Sequence, residues 1–305
     1  KRFLLNNSTK INLGIKAFFD SFAGEIKNIN LSEELAAGEI LEIKQAFDEF
    51  GVLIFRNQNL TPPEFSNFSK YFGKLHVHHL AEKTFPDNPE VRVLSNVKKK
   101  GKYIGQYRAG HYWHTDLVFL KSVGYATLLH GVECPPTGAD TLFSDMREAY
   151  TQMPEGLKSK IIGKSALHDH SFSYGRLYPD RPQLTEEQKS SAPPVRHPLV
   201  SIHPRTGRKS IYMTSATIRE IDGFDEPTSQ EIVQALEDFC TKSKFVYEHK
   251  WKKGDVIFFD WRNTPHSTAN CGINNRPFLK VTGMLDDDSY VIDARDKGTI
   301  KQIKI

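Results

Sequence analysis

His114 and Asp116 stand two residues apart in the stretch HYWHTDLVFL, residues 111–120. The aromatic and aliphatic residues around them read as a β-strand, in which side chains at i and i+2 project to the same face. An imidazole and a carboxylate aimed one way are two of the donors a divalent metal needs. Without a third they are equally a polar strand face looking at solvent. Twelve histidines offer candidates: His76, His78 and His79 cluster nearby, and His168 and His170 lie in a turn-rich segment. The strongest is His266, in DVIFFDWRNTPHSTAN, because it follows a strongly apolar strand at whose end a side chain can turn into the mouth of a barrel.

Two histidines and one carboxylate from distant segments make the three-ligand face of non-haem Fe(II) oxygenases, which leaves three coordination positions open. A structural zinc site would close its shell instead. Arg276, in NNRPFLKVTG, begins the strand that would run beside the His266 segment. Its planar guanidinium suits a bidentate grip on a carboxylate, unless it serves only as a surface ion pair.

The elements that must position these groups are legible in outline. Residues 32–50 read as an amphipathic helix, capped by Ser32, buried through Ile40, Ile43, Phe47 and Phe50, and closed by Gly51. GVLIF follows as a buried strand. TPPEFSNFSKYFG is a second helix, with Thr61 and Glu64 as a capping box, Pro62 in the first turn and Gly73 at the end. From about residue 91 strand signals dominate: VRVLSN, YATLLHGVE, ADTLFS, HPLVSIH, SIYMT, KFVYEHKW, DVIFFD and FLKVTGML. Hairpin turns are expected at Lys252–Asp255 and at PRTGRK. One helix, at roughly 227–242, buries Ile232, Leu236 and Phe239. The fold class is therefore mainly β with flanking helices, a sandwich or barrel with helices packed outside. We expect one domain over 1–305, with an N-terminal helical scaffold at about 1–75. The long segment 168–197, carrying Phe172, Tyr174, Arg176 and Tyr178, is expected to be a lid over the site.

Composition narrows the function classes. At 38% apolar and 26% charged the chain is an ordinary globule with material for a sizeable core. A net charge of +4 is small and spread out, and the run Lys98, Lys99, Lys100 and Lys102 reads as a solvated loop, so no nucleic-acid partner is implied. Mild basicity fits an anionic small-molecule substrate. Cys134, Cys240 and Cys271 are odd in number and widely spaced, which favours reduced thiols and a cytoplasmic location over a disulfide framework. No stretch reaches the ~18 consecutive apolar residues of a membrane span. A homo-oligomer stays open.

Several ordered motifs together resemble one family. WHTD, GADTLF with Thr141, DWRNTPH and RPFLK, supported by GVLIFRNQNLTPPEFSNFSKYFGKLHVH and PPVRHPLVSIHPRTGRKSIYM, look like the Fe(II)/2-oxoglutarate dioxygenases of the taurine dioxygenase and 2,4-dichlorophenoxyacetate dioxygenase family, over roughly residues 45–285. The resemblance implies a double-stranded β-helix (jelly roll) core, with iron held by His114, Asp116 and His266. It implies that 2-oxoglutarate chelates the iron through its keto-acid end while its far carboxylate meets Arg276 and the hydroxyl of Thr141. His78 falls at a substrate-contacting histidine of the family. Lys280 falls where the family places an arginine for the substrate's anionic group, a departure that keeps the charge and loses the planar fork.

The activity so implied uses O2 to oxidise a C–H bond, most simply by hydroxylation, with release of succinate and CO2. Desaturation, ring closure and isonitrile-forming oxidation of an N-substituted amino acid need the same ligands. Chlorination does not fit, since Asp116 occupies the position that halogenases vacate for halide. Outside this class, a jelly roll that binds or senses a small acid is the main rival, and a metallohydrolase lacks a spare acid/base pair near the triad.

Overall fold

Two runs of unbroken apolar residues, Val52–Phe55 and Val256–Phe259, are buried on both faces because the sheet they belong to is covered on both sides. Alternation divides their side chains. Leu53, Phe55, Val256 and Phe258 join an outer cluster, whereas Val52, Ile54, Ile257 and Phe259 join an inner one. The structure is a computed structural model and describes residues 13–19, 22–77, 84–106, 110–121, 124–179, 182–268, 278–285, 290–291 and 303–304.

The strands that build the site are β1 (Val52–Phe55), β2 (Asn88–Leu94), β3 (Gly124–Glu133), β4 (Thr141–Ser144), β5 (Val246–His249), β6 (Val256–Asp260), β7 (His266–Thr268) and β8 (Phe278–Leu285). A nine-stranded sheet runs Lys16–Phe18, Ala23–Ile26, β1, β6, β3, β8, β2 and Thr84–Phe85, with Lys74–Leu75 also paired to β8. Ala23–Ile26 pairs with β1 in parallel. A second sheet, in the order β5, β4, β7, lies across the inner cluster, where Phe143 of β4 meets Phe259 of β6 at 5.1 Å between ring centroids.

Helices α1 (Ala37–Phe50) and α2 (Pro62–Lys70) pack Ile43, Phe47, Phe65 and Phe68 on the outer face of the large sheet. A third apolar cluster gathers Ile232, Leu236 and Phe239 of the helix Glu226–Cys240 with the strands Ser165–His168 and Ile218–Ile221. The mainly β architecture with flanking helices is as expected, and so are the Thr61/Glu64 capping box and the PRTGRK hairpin.

Several expectations need correction. The first helix starts at Ala37 rather than 32. Glu39 caps the Ala36 backbone, while Ser32 bonds to Asn30. Lys252–Asp255 does form a turn, but β5 and β6 belong to different sheets, so it is a corner between sheets and not a hairpin. The proposed N-terminal scaffold carries strands as well as helices, and four of them join the large sheet. Segment 168–197 is not a long loop: it contains α3 (His170–Leu177), capped by Asp169, and α4 (Glu186–Ser191), capped by Thr185 and Gln188. Lys98–Lys99 and Lys102–Tyr103 make a short exposed hairpin.

Candidate active site

Residues 111–120 are not a strand. His114 makes one isolated antiparallel bridge with His266, with backbone bonds of 3.0 and 2.9 Å in the two directions. The chain then turns through residues 116–120, with Leu117 in the left-handed region at φ 53°. The aromatic and aliphatic run suggested a strand, but this turn ends the pairing after one residue. Its effect on the pair is still the one expected: both side chains look to the same side, and the bridge adds the third. Ligand atoms of His114, Asp116 and His266 lie within 4.8 Å of one another, with His114 Nε2 at 3.7 Å from Asp116 Oδ1.

His266 reaches this point through a braced connection. After β6, Asp260 accepts from the Arg262 guanidinium through both oxygens, at 2.9 Å each, and lies 3.1 Å from His203 Nε2. The pair is buried, and Asp260 also caps the backbone N–H of Arg262 at 2.9 Å. Burial opposes ionisation of Asp260, yet Arg262 and His203 hold its carboxyl far below the usual range. The ion pair thus fixes the turn that delivers His266, and β7 is secured by pairing Phe143 with His266.

Each donor is prepared for a metal. His114 Nδ1 donates to the Tyr112 carbonyl at 2.8 Å, so Nε2 presents its lone pair, as in metal-binding histidines generally. His266 is buried, which pushes its pKa down to about 3, with His114 adding to the effect; it is neutral at physiological pH. Its Nδ1 is a buried nitrogen with no hydrogen-bond partner among the described residues. Burial would raise the pKa of Asp116, but His266, His114, Arg92 and the Thr127 hydroxyl together lower it. Of these, Arg92 and the Thr127 hydroxyl act without a charged imidazole. Neutral imidazoles and an ionised carboxylate are the protonation states that a ferrous ion requires.

Around the triad the structure adds residues that the sequence did not reveal. Thr127 Oγ1 of β3 donates to Asp116 Oδ2 at 2.8 Å, and the Trp261 indole N–H donates to Thr127 Oγ1 at 2.7 Å. Arg92 of β2 shares its strand face with Leu94, which packs on the inner cluster; burial lowers its pKa while the charge of Asp116 raises it. Tyr112 packs against His114, and Tyr178, at the end of α3, comes within 3.4 Å of the Tyr112 hydroxyl. Periodicity flags none of these, because each contact comes from sheet register or loop docking between segments remote in sequence.

Of the other candidates, Thr141 is buried on β4, two positions from Phe143, and its oxygen accepts from Trp251 Nε1 at 2.9 Å. Its own hydroxyl proton is left to donate. His78, His79 and Arg276 lie outside the described residues, as does Cys271. Lys280 sits in β8 opposite Val93 and His130. His168 is buried on Thr217, and His170 packs on Phe119, so neither joins the triad. Cys134 and Cys240 are free thiols. No helix among the described residues is long and apolar enough to cross a membrane.

With this geometry in hand, comparison with known proteins is decisive. Residues 15–279 match the model of the "Taurine catabolism dioxygenase TauD, TfdA family". The chain belongs to this family. An alpha-ketoglutarate-dependent 2,4-dichlorophenoxyacetate dioxygenase of Cupriavidus pinatubonensis is 31% identical over 277 residues, 87% of this chain and 95% of the relative. An alpha-ketoglutarate-dependent sulfate ester dioxygenase of Pseudomonas putida is 27% identical over 266 residues, 85% of each chain. Among solved structures, AAD-2 in complex with Mn(II) and N-oxalylglycine superposes with a TM-score of 0.76 at 26% identity, covering 90% of this chain and 98% of that one. As a TauD/TfdA member the chain is an Fe(II)/2-oxoglutarate-dependent dioxygenase.

Proposed function

We propose that this dioxygenase hydroxylates a C–H bond of a small anionic substrate, within a single domain built on a double-stranded β-helix core. The observation that carries the reading is the convergence of His114, Asp116 and His266. These three would hold Fe(II), with His266 held neutral by burial and the Asp116 carboxyl held below its usual range. Iron bound there supplies the redox chemistry with O2 and 2-oxoglutarate, which leaves as succinate and CO2.

The chain's own residues bind and orient. Thr141 would donate its free hydroxyl proton to the far carboxylate of 2-oxoglutarate, and Arg276 would complete that grip through a charge-assisted pair. His78 and Lys280 are assigned to the substrate. Arg92 supports an anionic one, since a half-buried guanidinium whose neighbouring carboxylate is committed to a metal favours another negative charge beside it. Residues 168–197 would cover the site through Tyr178 and its contact with Tyr112. Relatives named for an aryloxyacetate and for sulfate esters direct the search toward carboxylates and sulfate esters. The free thiols suit a cytoplasmic setting.

The test is succinate formation from 2-oxoglutarate in air with Fe(II) and ascorbate, across a panel of small carboxylates, sulfonates and sulfate esters. Substrate-dependent succinate that disappears in His114→Ala is expected. Tight binding of a small acid with no succinate above the His114→Ala background would instead favour a binding protein.

A further inference from the structure

Asp116 has two carboxylate oxygens, and the fold treats them differently. Oδ1 faces His114 Nε2, whereas Oδ2 is taken by the Thr127 hydroxyl at 2.8 Å. The direction of that bond is fixed. An indole N–H can only donate, so the Trp261 contact at 2.7 Å uses a lone pair of the Thr127 oxygen and leaves its proton for Asp116. Thr127 and Trp261 are both 1% exposed, so water does not compete for either bond.

The indole occupies a prepared slot. Gly124 opens β3, and a Cβ there would come within 1.7 Å of the Trp261 ring, so a residue with no side chain admits it. Trp261 also donates its backbone N–H to the Tyr125 carbonyl at 3.1 Å. Because Trp261 lies in the connection between β6 and β7, the chain Trp261–Thr127–Asp116 ties the segment that delivers His266 to the carboxylate of the other ligand segment.

We propose that Thr127 and Trp261 are positioning residues that restrict Asp116 to one-oxygen attachment through Oδ1, and so keep three metal vertices available instead of two. This rests on the triad being the metal site. Two open vertices would serve a bidentate keto acid and leave none for a further ligand, so the hydrogen-bond chain guards the position that O2 chemistry needs. A carboxylate released from Thr127 can swing to bidentate attachment.

The experiment is Mn(II) binding to the folded apoprotein, followed by electron paramagnetic resonance, with bound waters counted from line broadening in 17O-water. Thr127→Val deletes the donor at nearly constant shape, Thr127→Ser retains it, and Trp261→Phe keeps a ring in the slot while deleting the N–H. Thr127→Val is expected to bind Mn(II) about 10–100-fold more weakly, the usual effect of losing such a partner, and to hold fewer exchangeable waters. Thr127→Ser should match wild type within about threefold on both readouts. Trp261→Phe should move the same way as Thr127→Val, and the double variant should be no worse than Thr127→Val alone, since the residues act in series. Wild-type affinity and water count in both Thr127→Val and Trp261→Phe would overturn the proposal. Failure of the triad itself is a separate result: wild type would not bind Mn(II), or His114→Ala would bind it equally.

Discussion

At the scale of single residues, function depends on which protonation state each side chain is forced to keep. His114→Ala and Asp116→Ala each remove a donor and are expected to abolish ferrous binding and turnover together, which equilibrium dialysis alongside a succinate assay checks. Arg276→Ala should chiefly raise the 2-oxoglutarate requirement, because losing a charge-assisted clamp costs on the order of 2–4 kcal/mol. An unchanged 2-oxoglutarate dependence would remove Arg276 from the site. Arg92→Leu should raise KM for an anionic substrate at least tenfold while leaving 2-oxoglutarate saturation close to wild type. The convergence of His114, Asp116 and His266 was legible in sequence because the His-x-Asp spacing and the apolar strand before His266 are joined by the ordered motifs of the family resemblance. Arg92, Thr127 and Trp261 were not, since nothing in their neighbourhoods in sequence announces that register places them beside Asp116.

Elements bring these residues together by fixing where strands stop. The connection from β6 to β7 turns on Asp260, whose charge satisfies Arg262 and His203 in a buried setting. Asp260→Asn removes the carboxylate charge that faces the buried Arg262 guanidinium and is expected to cost about 3–5 kcal/mol of stability in urea titrations. It should also weaken metal binding, because His266 hangs from that turn. Gly124→Ala drives a methyl group into the Trp261 ring and should cost about 1–3 kcal/mol, as overfilled cores do. Sequence reasoning found α2 through its capping box and the helix at 226–240 through its apolar stripe, both local signals. It misread residues 111–120, where the aromatic and aliphatic run outweighed the turn at Leu117. It also took 168–197 for one long, turn-rich segment, although Thr185 and Gln188 form a capping box of the same kind as Thr61 and Glu64.

For the whole molecule, the core's burial of neutral imidazoles sets the response to acid. Burial lowers the pKa of His168 and His266 to about 3, and lowers those of His197, His203 and His249 as well. The unfolded chain takes up these protons below about pH 6.5 while the folded chain does not, so the stability they contribute is present above that pH and lost as pH falls. Urea midpoints of the apoprotein should be level between pH 7 and 8 and decline steadily from 6.5 to 5; a flat profile would show that these histidines are not held neutral. The central claim, that three remote side chains form one ferrous centre open to a keto acid, is tested most directly by anaerobic titration of Fe(II) into apoprotein with 2-oxoglutarate. One equivalent should saturate a weak visible charge-transfer band that is absent from His114→Ala and Asp116→Ala. No band in the wild-type protein, or the same band in either variant, would contradict the account.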